Sequence, residues 1–413
     1  MKQILFAGAA LAVLTAAGGA MAADTILVGH LADITGATSS VGKPYAQGIA
    51  DSMNYINAHG GVNGKKIVFE TVDYAYEVPR AMAAYKKLTG SDKAVAIQGW
   101  GTSDTEALAS MVAKDEIPYY SGSYSGHLTD PQGKTSAKAA PYNFFYGPSY
   151  SDGCRGLVQW AADDWKKKGG KGAAKFVHMG DNHPYPNSPK QACGAYAKEL
   201  GFDILNDIQY SLKPGDFKAQ CLSLKESGAN YAYLANTAGS TISLLKSCET
   251  VGVNVQFLAN IWGTDEGSLK TAGDAADKLV WVVGAATWAD DVPGMKLVRE
   301  ISKVSDASGT EARPAHYIRA ICSVYYMKEA MEAADTMAGG ITGPNIKKAM
   351  ESGKKDWVPA GLEGVCLPSH WTNEDHRGTG MVKIYQASTK GGAISMKQVY
   401  TADIPRRKEW LGW

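Results

Sequence analysis

Short apolar runs alternate with amphipathic segments along most of the chain, and this alternation constrains the fold more than any other feature. The run "TILVGHL" (25–31) is typical of a strand, whereas residues 42–61 carry apolar side chains at helical spacing before a Gly-Gly stop. Short strands separated by helices predict a parallel sheet with helices on both faces. The first strands are predicted at 25–31, 65–74, 93–99, 117–123 and 142–150, with helices at 42–61, 77–90 and 105–116.

The alternation restarts after residue 147, which predicts a second unit of the same kind. Its strands are predicted at 175–179, 202–210, 231–236, 255–260 and 279–288, with helices at 152–167, 188–200, 216–227, 239–251 and 266–276. Helices at 292–306, 314–335 and 343–352 and a strand at 381–387 follow. One strand is too few for a separate sheet, so we expect this third segment to complete the first unit.

The predicted fold is therefore α/β, with two doubly wound parallel-sheet lobes joined by a hinge that the chain crosses several times. Ligands bind at the carboxyl ends of the strands in such sheets, so two facing edges would form a binding cleft. We predict residues 1–23 as a leader, 24–147 as the first part of lobe 1, 148–285 as the first part of lobe 2, 286–380 as the segment that completes lobe 1, and 381–413 as a final crossover with a tail on lobe 2.

The leader has the parts of a secretory signal peptide. Lys2 gives a positive start, an apolar centre follows, and "AMA" (20–22) is a small-x-small cleavage signal. We expect cleavage near Ala22-Ala23, no lipid anchor because no cysteine lies at that point, and a periplasmic mature protein. The 42 basic residues balance 41 acidic residues, so the overall charge gives no reason to expect binding to nucleic acid or to an acidic membrane.

Cysteine usage favours disulfides. Six cysteines lie after the leader, at positions 154, 193, 221, 248, 322 and 366, and none has the CxxC spacing of zinc or thioredoxin-like sites. An even number in an exported chain is typical of disulfide bonding. Six cysteines allow fifteen pairings. We expect Cys154–Cys193 and Cys221–Cys248, because each pair lies on helices that are close in the chain; the alternative is that some are free buried thiols.

The stretch "AVAIQGWGTSDTEAL" (94–108) passes from a buried strand through two glycines into a helix. One interpretation is local: Ser103 caps the helix, and Glu106, three residues later, closes a capping box. The other is functional, because the free N–H groups of a helix N-terminus and nearby hydroxyl groups together form an anion site. The stretch alone is compatible with both interpretations.

The chain contains no recognisable catalytic motif. GxSxG, HExxH, the P-loop and GxGxxG are absent, and "GSYSG" (122–126) has Tyr124 where a nucleophile elbow needs serine. We therefore do not expect an enzyme, and we expect no cofactor.

Histidines offer two alternatives to this interpretation. His178 and His183 flank Asp181, and two more histidines lie in "SHWTNEDHRG" (369–378), so a metal site there is one alternative to ordinary loop histidines. An enzyme that uses His178, His183 or His316 is the other. We expect no metal.

Small hydroxyl residues collect where predicted strands of lobe 1 end. Thr102 and Ser103 follow one strand, and "SGSYSGH" (121–127) follows the next, with Ser123 and Ser125. Adjacent parallel strands end at the same edge, so hydroxyl and backbone N–H groups would converge there and satisfy a carboxylate. The alternative is that these residues only cap and turn the chain.

Three long stretches carry a family resemblance. Both "ILVGHLADITGATSSVGKPYAQGIADSMNYINAHGGVNGKKIVFETVDY" (26–74) and "IPYYSGSYSGHL" (117–128) resemble type I periplasmic binding proteins. "DFKAQCLSLKESGANYAYLANTAGSTISLLKSCETVG" (216–252) is similar to the core of the family's second lobe. The nearest branch binds leucine, isoleucine and valine and serves ABC importers. The resemblance covers essentially all of residues 25–390 and identifies the superfamily rather than the ligand.

The resemblance implies a role for the hydroxyl-bearing loops of lobe 1. In similar proteins the loops that match Thr102–Ser103 and Ser123–Ser125 hold the ligand carboxylate. We therefore expect ligand contacts from Thr102, Ser103, Ser123, Tyr124 and Ser125.

The resemblance also implies that the second lobe closes over the ligand. The matching residues are Tyr185 in "NHPYPNSP", Thr237 in the turn "ANT" and Trp262 in the strand-end loop "ANIWGT". The helix start "PAHYIRA" is expected to bring His316 and Tyr317 to the cleft. The alternative is that Tyr185 and Trp262 pack in a lid or a core, and that Tyr317 belongs to a buried helix face.

One departure from the family concerns the ligand. Amino-acid binders in this family usually have an acidic residue at the strand end that matches "LANIWG", where it pairs with the ammonium group. This chain has Ile261 and Trp262 there, and the nearest acid is Asp265. A buried ammonium group without a partner is costly. Either Asp265 reaches in, or carbonyl groups and ring faces surround the cation, or the ligand has no ammonium group.

The composition of the predicted cleft favours the last of these options. Its expected walls are rich in rings, namely Trp100, Tyr124, Tyr185, Trp262 and Tyr317. Pockets with aromatic walls and few polar anchors favour apolar or aromatic ligands. We therefore expect a small carboxylate with an apolar or aromatic body, and an aliphatic amino acid as the second choice.

Together these observations predict a substrate-binding protein of a branched-chain amino acid-type ABC importer, which captures its ligand by hinge closure. The expected partners are the small-molecule ligand and the permease subunits in the membrane, and the protein is expected to be a monomer. The alternative is a soluble ligand sensor that delivers the closed form to a receptor or regulator. The C-terminal "PRRKEWLGW" (405–413) is basic and aromatic, and we expect it to pack across lobe 2.

Overall fold

Two open sheets form the framework of the protein. The computed structural model describes residues 25–136 and 138–413, and the predicted signal peptide lies outside the described residues. The first sheet contains β1 (Thr25–Ala32), β2 (Lys66–Asp73), β3 (Ala96–Gln98), β4 (Tyr119–Ser121) and β5 (Asn143–Phe145). The second contains β6 (Lys175–Gly180), β7 (Asp203–Ile204), β8 (Ile208–Gln209), β9 (Tyr231–Leu234), β10 (Gln256–Ala259), β11 (Val280–Val283), β14 (Met381–Ser388) and β15 (Ser395–Asp403). A separate hairpin pairs β12 (His370–Thr372) with β13 (Asp375–Gly378).

Both sheets have the same strand order. The first runs β2-β1-β3-β4-β5, with every neighbouring pair parallel. The parallel part of the second sheet runs β7-β6-β9-β10-β11. In both sheets the second strand along the chain therefore lies at the edge, beside the first strand. Connections leave in opposite directions from β1 and β3, and from β6 and β9, and such switch points are where open α/β sheets bind ligands. The doubly wound fold class predicted from the alternation is confirmed.

Helices cover the sheets and connect their strands. They are α1 (Ser39–Ala58), α2 (Val78–Lys86), α3 (Thr102–Asp115), α4 (Tyr150–Lys167), α5 (Pro184–Asn187), α6 (Lys190–Glu199), α7 (Lys218–Ser227), α8 (Ala238–Thr250), α9 (Glu266–Ala272), α10 (Met295–Ser302), α11 (Ala315–Asp335) and α12 (Gly343–Met350). Among the residues that the structure describes, no helix combines the length and hydropathy needed to cross a membrane.

The second sheet differs from the predicted pattern in two places. The predicted strand 202–210 is split into β7 and β8, two residues each, so only its ends pair with β6. The sheet also ends in an antiparallel pair, because β14 pairs antiparallel with both β11 and β15. The edge strand β15 was not predicted from the sequence. Most of its side chains are exposed or half-buried, so they lack the apolar signal of a central strand.

The chain crosses between the lobes three times. It leaves the first sheet after β5, returns to lobe 1 after β11 with α10, α11 and α12, and re-enters the second sheet at β14. Helices α10 and α11 pack on α1, and α12 packs on α11. Gly147 lies in the first crossover with a φ of 115°, a conformation that L side chains rarely adopt. Three connections side by side form a hinge between two otherwise separate sheets.

Three disulfides link the helices. Cys154 bonds Cys193 and Cys221 bonds Cys248, which confirms both pairs expected from the sequence. A third disulfide, Cys322–Cys366, joins α11 to the segment that follows α12. Each closes a loop of 27 to 44 residues, and closing such a loop restricts the unfolded chain and so favours the folded state.

The sequence predicted that the C-terminal tail packs on lobe 2, but the tail also contacts lobe 1. Trp410 does pack on lobe 2, where the Arg155 guanidinium lies 3.9 Å from its ring centroid. The last residues then reach lobe 1, where the Gly412 N–H donates a hydrogen bond of 3.0 Å to the Thr129 hydroxyl. The tail therefore contacts both lobes, since Arg155 belongs to lobe 2 and Thr129 to lobe 1.

The seam between α1 and α11 depends on a glycine. A Cβ atom added to Gly48 would lie 2.5 Å from the Tyr317 carbonyl oxygen and 2.8 Å from the Ala320 Cβ. We expect Gly48→Ala to lower the free energy of unfolding by about 1–3 kcal/mol, because the helices must separate. Urea denaturation measures the change.

A matched glycine provides the control for this prediction. Gly194 lies inside α6, and a Cβ atom there would have no neighbour within 4 Å. Gly194→Ala is expected to raise the free energy of unfolding by about 0.5–1 kcal/mol, since alanine restricts the unfolded chain. Equal effects of the two substitutions would show that the seam is not tightly packed.

Candidate functional site

Residues from both switch points line one small cavity between the lobes. Its walls are formed by Thr38, Tyr76, Trp100, Gly101, Thr102, Gly122, Tyr150, Tyr185, Thr237 and Trp262. Five of these, Trp100, Thr102, Tyr185, Thr237 and Trp262, were expected from the sequence. The cavity measures about 10 Å³, which is roughly the space of one water molecule. The lobes are therefore in a closed arrangement.

The lobe 1 wall is held together by hydrogen bonds between strand-end loops. The Trp100 Nε1–H donates to the Thr38 hydroxyl at 2.8 Å, which links the loop after β3 to the loop after β1. The buried Ser123 hydroxyl donates to the Thr102 hydroxyl at 2.9 Å, which links the loops after β4 and β3. These contacts follow from the parallel strand order, since adjacent strands end at the same edge.

The capping box expected at the start of α3 is absent. The helix begins at Thr102, and Gly101 is the extended residue that precedes it. The Glu106 carboxylate, expected to reach back to the helix start, accepts a hydrogen bond from the Ser125 hydroxyl at 2.6 Å. This interpretation was wrong because Ser103 lies two residues after the capping position at Gly101, and its hydroxyl is used elsewhere.

A buried acid supports the start of α3. The Tyr74 hydroxyl donates to Asp104 Oδ1 at 2.8 Å and accepts from the Gly101 N–H at 3.0 Å. The second oxygen of Asp104, Oδ2, is buried and has no hydrogen-bond partner among the described residues. Burial raises the pKa of Asp104 to about 7.

Asn260, at the end of β10, organises the lobe 2 wall. Its side-chain oxygen accepts from the Tyr185 hydroxyl at 2.8 Å and from the Trp262 N–H at 2.7 Å. Its side-chain NH₂ group donates to the carbonyls of Leu234 and Asn236 at the end of β9. The Asn260 side-chain amide thus holds the hydroxyl group of Tyr185 and the backbone of Trp262 in place. The Thr237 hydroxyl beside them is buried without a hydrogen-bond partner in the described part of the chain.

The indole of Trp262 carries the main contact between the lobes. Its ring centroid lies 4.7 Å from that of Trp100 and 5.4 Å from that of Tyr45, both edge-to-face. Tyr124, which was expected at the ligand, lies 5.5 Å away and completes this group. We call Tyr45, Trp100, Tyr124 and Trp262 the ring cluster. Such pairs add to the stability gained from burial alone, so the ring cluster favours the closed arrangement.

Two expected ligand contacts instead join the lobes directly. Ser103 Oγ lies 3.0 Å from His183 Nε2. His183 Nδ1 accepts from the Tyr185 N–H, so in the neutral ring Nε2 carries the proton and donates to Ser103. Burial lowers the pKa of His183, which favours that neutral ring. The Ser103 hydroxyl therefore acts in closure.

Ser125 makes the second of these contacts. The Ser188 hydroxyl, at the end of α5, donates to the Ser125 hydroxyl at 3.0 Å, and Ser125 in turn donates to Glu106. Neither Ser103 nor Ser125 lines the small cavity. The sequence located both residues at the correct edge but did not distinguish ligand contacts from interlobe contacts.

The two residues expected from the start of α11 point in different directions. His316 lies against Trp262, with ring centroids 5.1 Å apart. Tyr317 faces α1, where its hydroxyl donates to Asp51 at 2.7 Å, so it does not join the cleft. Consecutive helical residues differ by about 100° in direction, so His316 and Tyr317 were not both able to face the cleft.

Asp265 does not reach into the small cavity either. Its Oδ1 accepts a 2.7 Å hydrogen bond from the Ser268 N–H and caps α9. It lines a second interlobe cavity of about 440 Å³ together with Ser40, Ala238 and Trp288. In the same cavity wall, the Glu266 carboxylate accepts from the Ala315 N–H at 2.9 Å and ties α9 to α11.

The histidines considered for metal binding lie apart. His178 is buried beside the ring of Tyr233, and burial lowers its pKa to about 4. His376 contacts Glu351 at 2.8 Å, whereas His370 contacts the Lys354 carbonyl. Within residues 25–136 and 138–413, no group of three His, Cys, Asp or Glu side chains has the arrangement of a metal site.

Sequence reasoning missed several residues of the site, namely Thr38, Tyr45, Tyr76, Tyr150, Asn260 and Arg319. Thr38, Tyr76 and Tyr150 line the cavity. The available signal for Arg319 was a lone basic residue within the apolar helical run "HYIRAICSVYYM" (316–327). A charged residue on such a helix is buried and needs a partner.

Two lobes of equal topology whose switch points close on one cavity define a two-lobed small-molecule-binding protein. The chain belongs to the periplasmic binding protein family, because the family model described as "Periplasmic binding protein" matches residues 25–393. This match confirms the resemblance predicted from the sequence. Proteins of this family are typically periplasmic.

Individual relatives agree with this assignment. An amino acid binding protein from Pseudomonas aeruginosa is 27% identical over 253 residues, which cover 60% of this chain and 63% of that relative. The Leu/Ile/Val-binding protein homolog 1 from Brucella abortus is 24% identical over 353 residues, or 85% of this chain and 88% of that relative. The crystal structure of an ABC transporter substrate-binding protein from Aeropyrum pernix superposes with a TM-score of 0.80 at 25% identity, covering 94% of this chain and 98% of that one.

The buried acid at the start of α3 predicts a pH dependence of stability. Asp104 retains its proton up to a pH of about 7 in the folded protein, whereas an unfolded aspartate loses it near pH 4. The folded state therefore binds more protons between these values, and its stability falls as the pH rises through this range. Asp104→Asn keeps an acceptor for Tyr74 and removes this loss.

Urea denaturation of both proteins at pH 4 and pH 8 measures the effect. We expect similar free energies of unfolding at pH 4, and a variant more stable than the wild type by about 4 kcal/mol at pH 8. Parallel pH profiles of the two proteins would contradict a buried, protonated Asp104.

Proposed function

We propose that this chain is the substrate-binding component of a branched-chain amino acid-type ABC importer and that it captures a small carboxylate-bearing ligand between its lobes. One observation carries the proposal: side chains that follow β3, β6, β9 and β10, drawn from both sheets, line the same small cavity. A ligand held there contacts both lobes, and contact with both lobes is what allows it to favour the closed form.

Closure around the ligand is a hinge motion. The cavity of about 10 Å³ is too small for an amino acid or an aromatic acid, so the ligand enters when the lobes separate. The three crossovers supply the hinge. The interlobe hydrogen bonds Ser103–His183 and Ser188–Ser125 lie outside the cavity and are free to re-form as the lobes close.

The chemistry of the cavity wall supports a binding role without catalysis. The wall offers hydroxyl groups and ring faces, and none of the described residues that line it is a His, Asp, Glu, Lys or Cys. A binding protein needs only to hold its ligand in the ground state, whereas an enzyme must bind the transition state more tightly. The relatives from Pseudomonas and Brucella are both named as binding proteins, which supports the same conclusion.

The first test measures binding and closure together. The protein, expressed from residue 24, is screened by thermal shift against aliphatic and aromatic amino acids, aromatic and aliphatic carboxylates, amides and polyols. A ligand present at one hundred times its Kd is expected to stabilise the native state by about 2.7 kcal/mol. Small-angle X-ray scattering of the free and bound protein is expected to show a smaller radius of gyration in the bound form.

Polyols serve as the control, because they have neither the carboxylate nor the apolar body that a cavity lined by hydroxyl groups and rings is expected to bind. A panel without any stabilising compound, or a bound form as extended as the free form, would contradict ligand capture by closure.

The second test removes the Thr102 hydroxyl of the lobe 1 wall and the Ser123 hydroxyl that donates to it. Thr102→Val combined with Ser123→Ala deletes both partners of one hydrogen bond, so neither hydroxyl is left unpaired and the melting temperature is expected to change little. Ligand affinity is expected to fall by about tenfold or more, since the ligand loses the Thr102 hydroxyl of the cavity wall together with the Ser123 hydroxyl that orients it. Isothermal titration calorimetry measures the change.

Thr105→Val is the matched control for the double variant. Thr105 lies three residues further along α3, its hydroxyl donates to the Gly101 carbonyl, and it does not line the cavity. Its substitution is expected to leave affinity unchanged. Equal affinities of the double variant and the wild type would exclude Thr102 and Ser123 as ligand contacts.

A further inference from the structure

A buried cation lies behind the ring cluster, and no carboxylate among the described residues forms a salt bridge with it. Arg319, on the second turn of α11, is 1% exposed. Of the salt bridges formed within residues 25–136 and 138–413, none includes Arg319. Its Nη1 is also buried without a hydrogen-bond partner in that part of the chain. A buried charge of this kind is costly unless an anion offsets it.

The neighbouring histidine does not supply that anion. Arg319 Nη2 contacts His316 Nδ1, and a guanidinium only donates, so Nδ1 accepts and the proton of the neutral ring is on Nε2. Burial and the adjacent guanidinium lower the pKa of His316, which keeps the ring neutral.

Asp265 does not supply the anion directly either. Its Oδ2 lies 3.6 Å from His316 Nε2, and its Oδ1 caps α9 through Ser268. His316 thus stands between this carboxylate and the guanidinium of Arg319. The Arg319 Nη1 donor, which has no hydrogen-bond partner in the described part of the chain, therefore remains available to a ligand.

The position of the guanidinium relates it to the cleft. It lies 3.7 Å from the ring centroid of Trp262 and 5.7 Å from that of Tyr124. Arg319 belongs to α11, which packs on α1 of lobe 1, whereas Trp262 follows β10 of lobe 2. The Arg319–Trp262 contact therefore spans the two lobes. Separation of the lobes withdraws the indole and exposes the guanidinium to whatever enters the cleft.

We propose that Arg319 supplies the positive charge against which the ligand carboxylate is held, and that the ligand is an apolar or aromatic monocarboxylate without an ammonium group. This inference rests on the proposed function. The Thr102 hydroxyl of the cavity wall is a neutral donor, so it complements a carboxylate but does not neutralise it. The same buried positive charge repels an ammonium group, and the rings of the cluster suit an apolar body.

The test compares three probes that share one carbon skeleton: 3-phenylpropanoate, L-phenylalanine and 3-phenylpropanamide. The aliphatic set is 4-methylpentanoate, L-leucine and 4-methylpentanamide. Isothermal titration calorimetry at pH 7 measures the affinity of the wild type for each. In at least one set, we expect the acid to bind about tenfold or more tightly than its amide and its amino acid, as charge-assisted hydrogen bonds predict.

Variants of Arg319 assign this preference to the guanidinium. Arg319→Met is expected to abolish the difference between acid and amide. Arg319→Lys keeps the positive charge and is expected to retain part of the preference for the acid over the amide. Comparison of the two variants separates the effect of losing the charge from the effect of losing the packing. The melting temperature of each free variant verifies that it folds.

Arg313→Met is the matched control. Arg313 is also buried and precedes the same helix, but its guanidinium contacts the Glu311 carboxylate at 2.9 Å and the Ser305 hydroxyl at 2.8 Å. The Arg313→Met variant is expected to prefer the acid over the amide by the same factor as the wild type.

The possible outcomes separate this inference from the proposed function. Tighter binding of the amino acids than of the acids, an acid preference that survives in Arg319→Met, or no binding of any acid would each overturn the role of Arg319. The proposed function would still stand if any compound closes the lobes in the scattering experiment. If no compound closes them, the proposed function itself fails.

Discussion

The contact of the Trp262 indole with the rings of lobe 1 is the interaction on which the closed protein depends. Trp262 touches Tyr45 and Trp100 with its edges while the guanidinium of Arg319 lies over its ring. All three partners belong to lobe 1, so every one of these contacts is lost when the lobes separate. Asn260 holds the Trp262 backbone in place. A single side chain at the end of β10 thus couples the hinge, the cavity and the buried charge.

Incomplete polar pairing occurs along the interface between the lobes as well as in their cores. Asp104 Oδ2, the Thr237 hydroxyl, Glu266 Oε1 and Arg319 Nη1 are buried without hydrogen-bond partners in the described part of the chain. Folded proteins rarely leave such groups unpaired, and each one reduces stability.

Much of the fold was predictable, because apolar strands and amphipathic helices differ in their local period. The strands β1, β6, β9 and β10 lie where the sequence predicted them, as does the long helix α11. Prediction failed where the local signal was weak or ambiguous. The edge strand β15 is half-exposed, and a capping box at Ser103 requires a helix that begins at residue 104, whereas α3 begins two residues earlier, at Thr102. Similarly, Tyr317 was assigned to the cleft because the helix start matched, although its neighbour His316 occupies that direction.

The sequence by itself determined the two α/β units, the family, two of the three disulfides, and the loops that carry the hydroxyl groups. These properties depend on local periodicity, on composition and on residue order along a strand end. Only the tertiary structure decided that Thr102 lines the cavity while Ser103 and Ser125 join the lobes, and that Arg319 lies beneath Trp262. The contacts of Ser103, Ser125 and Arg319 pair residues on different lobes, and the geometry that brings them together is set by the hinge and by the packing of α11 on α1. No local pattern in the chain encodes that geometry.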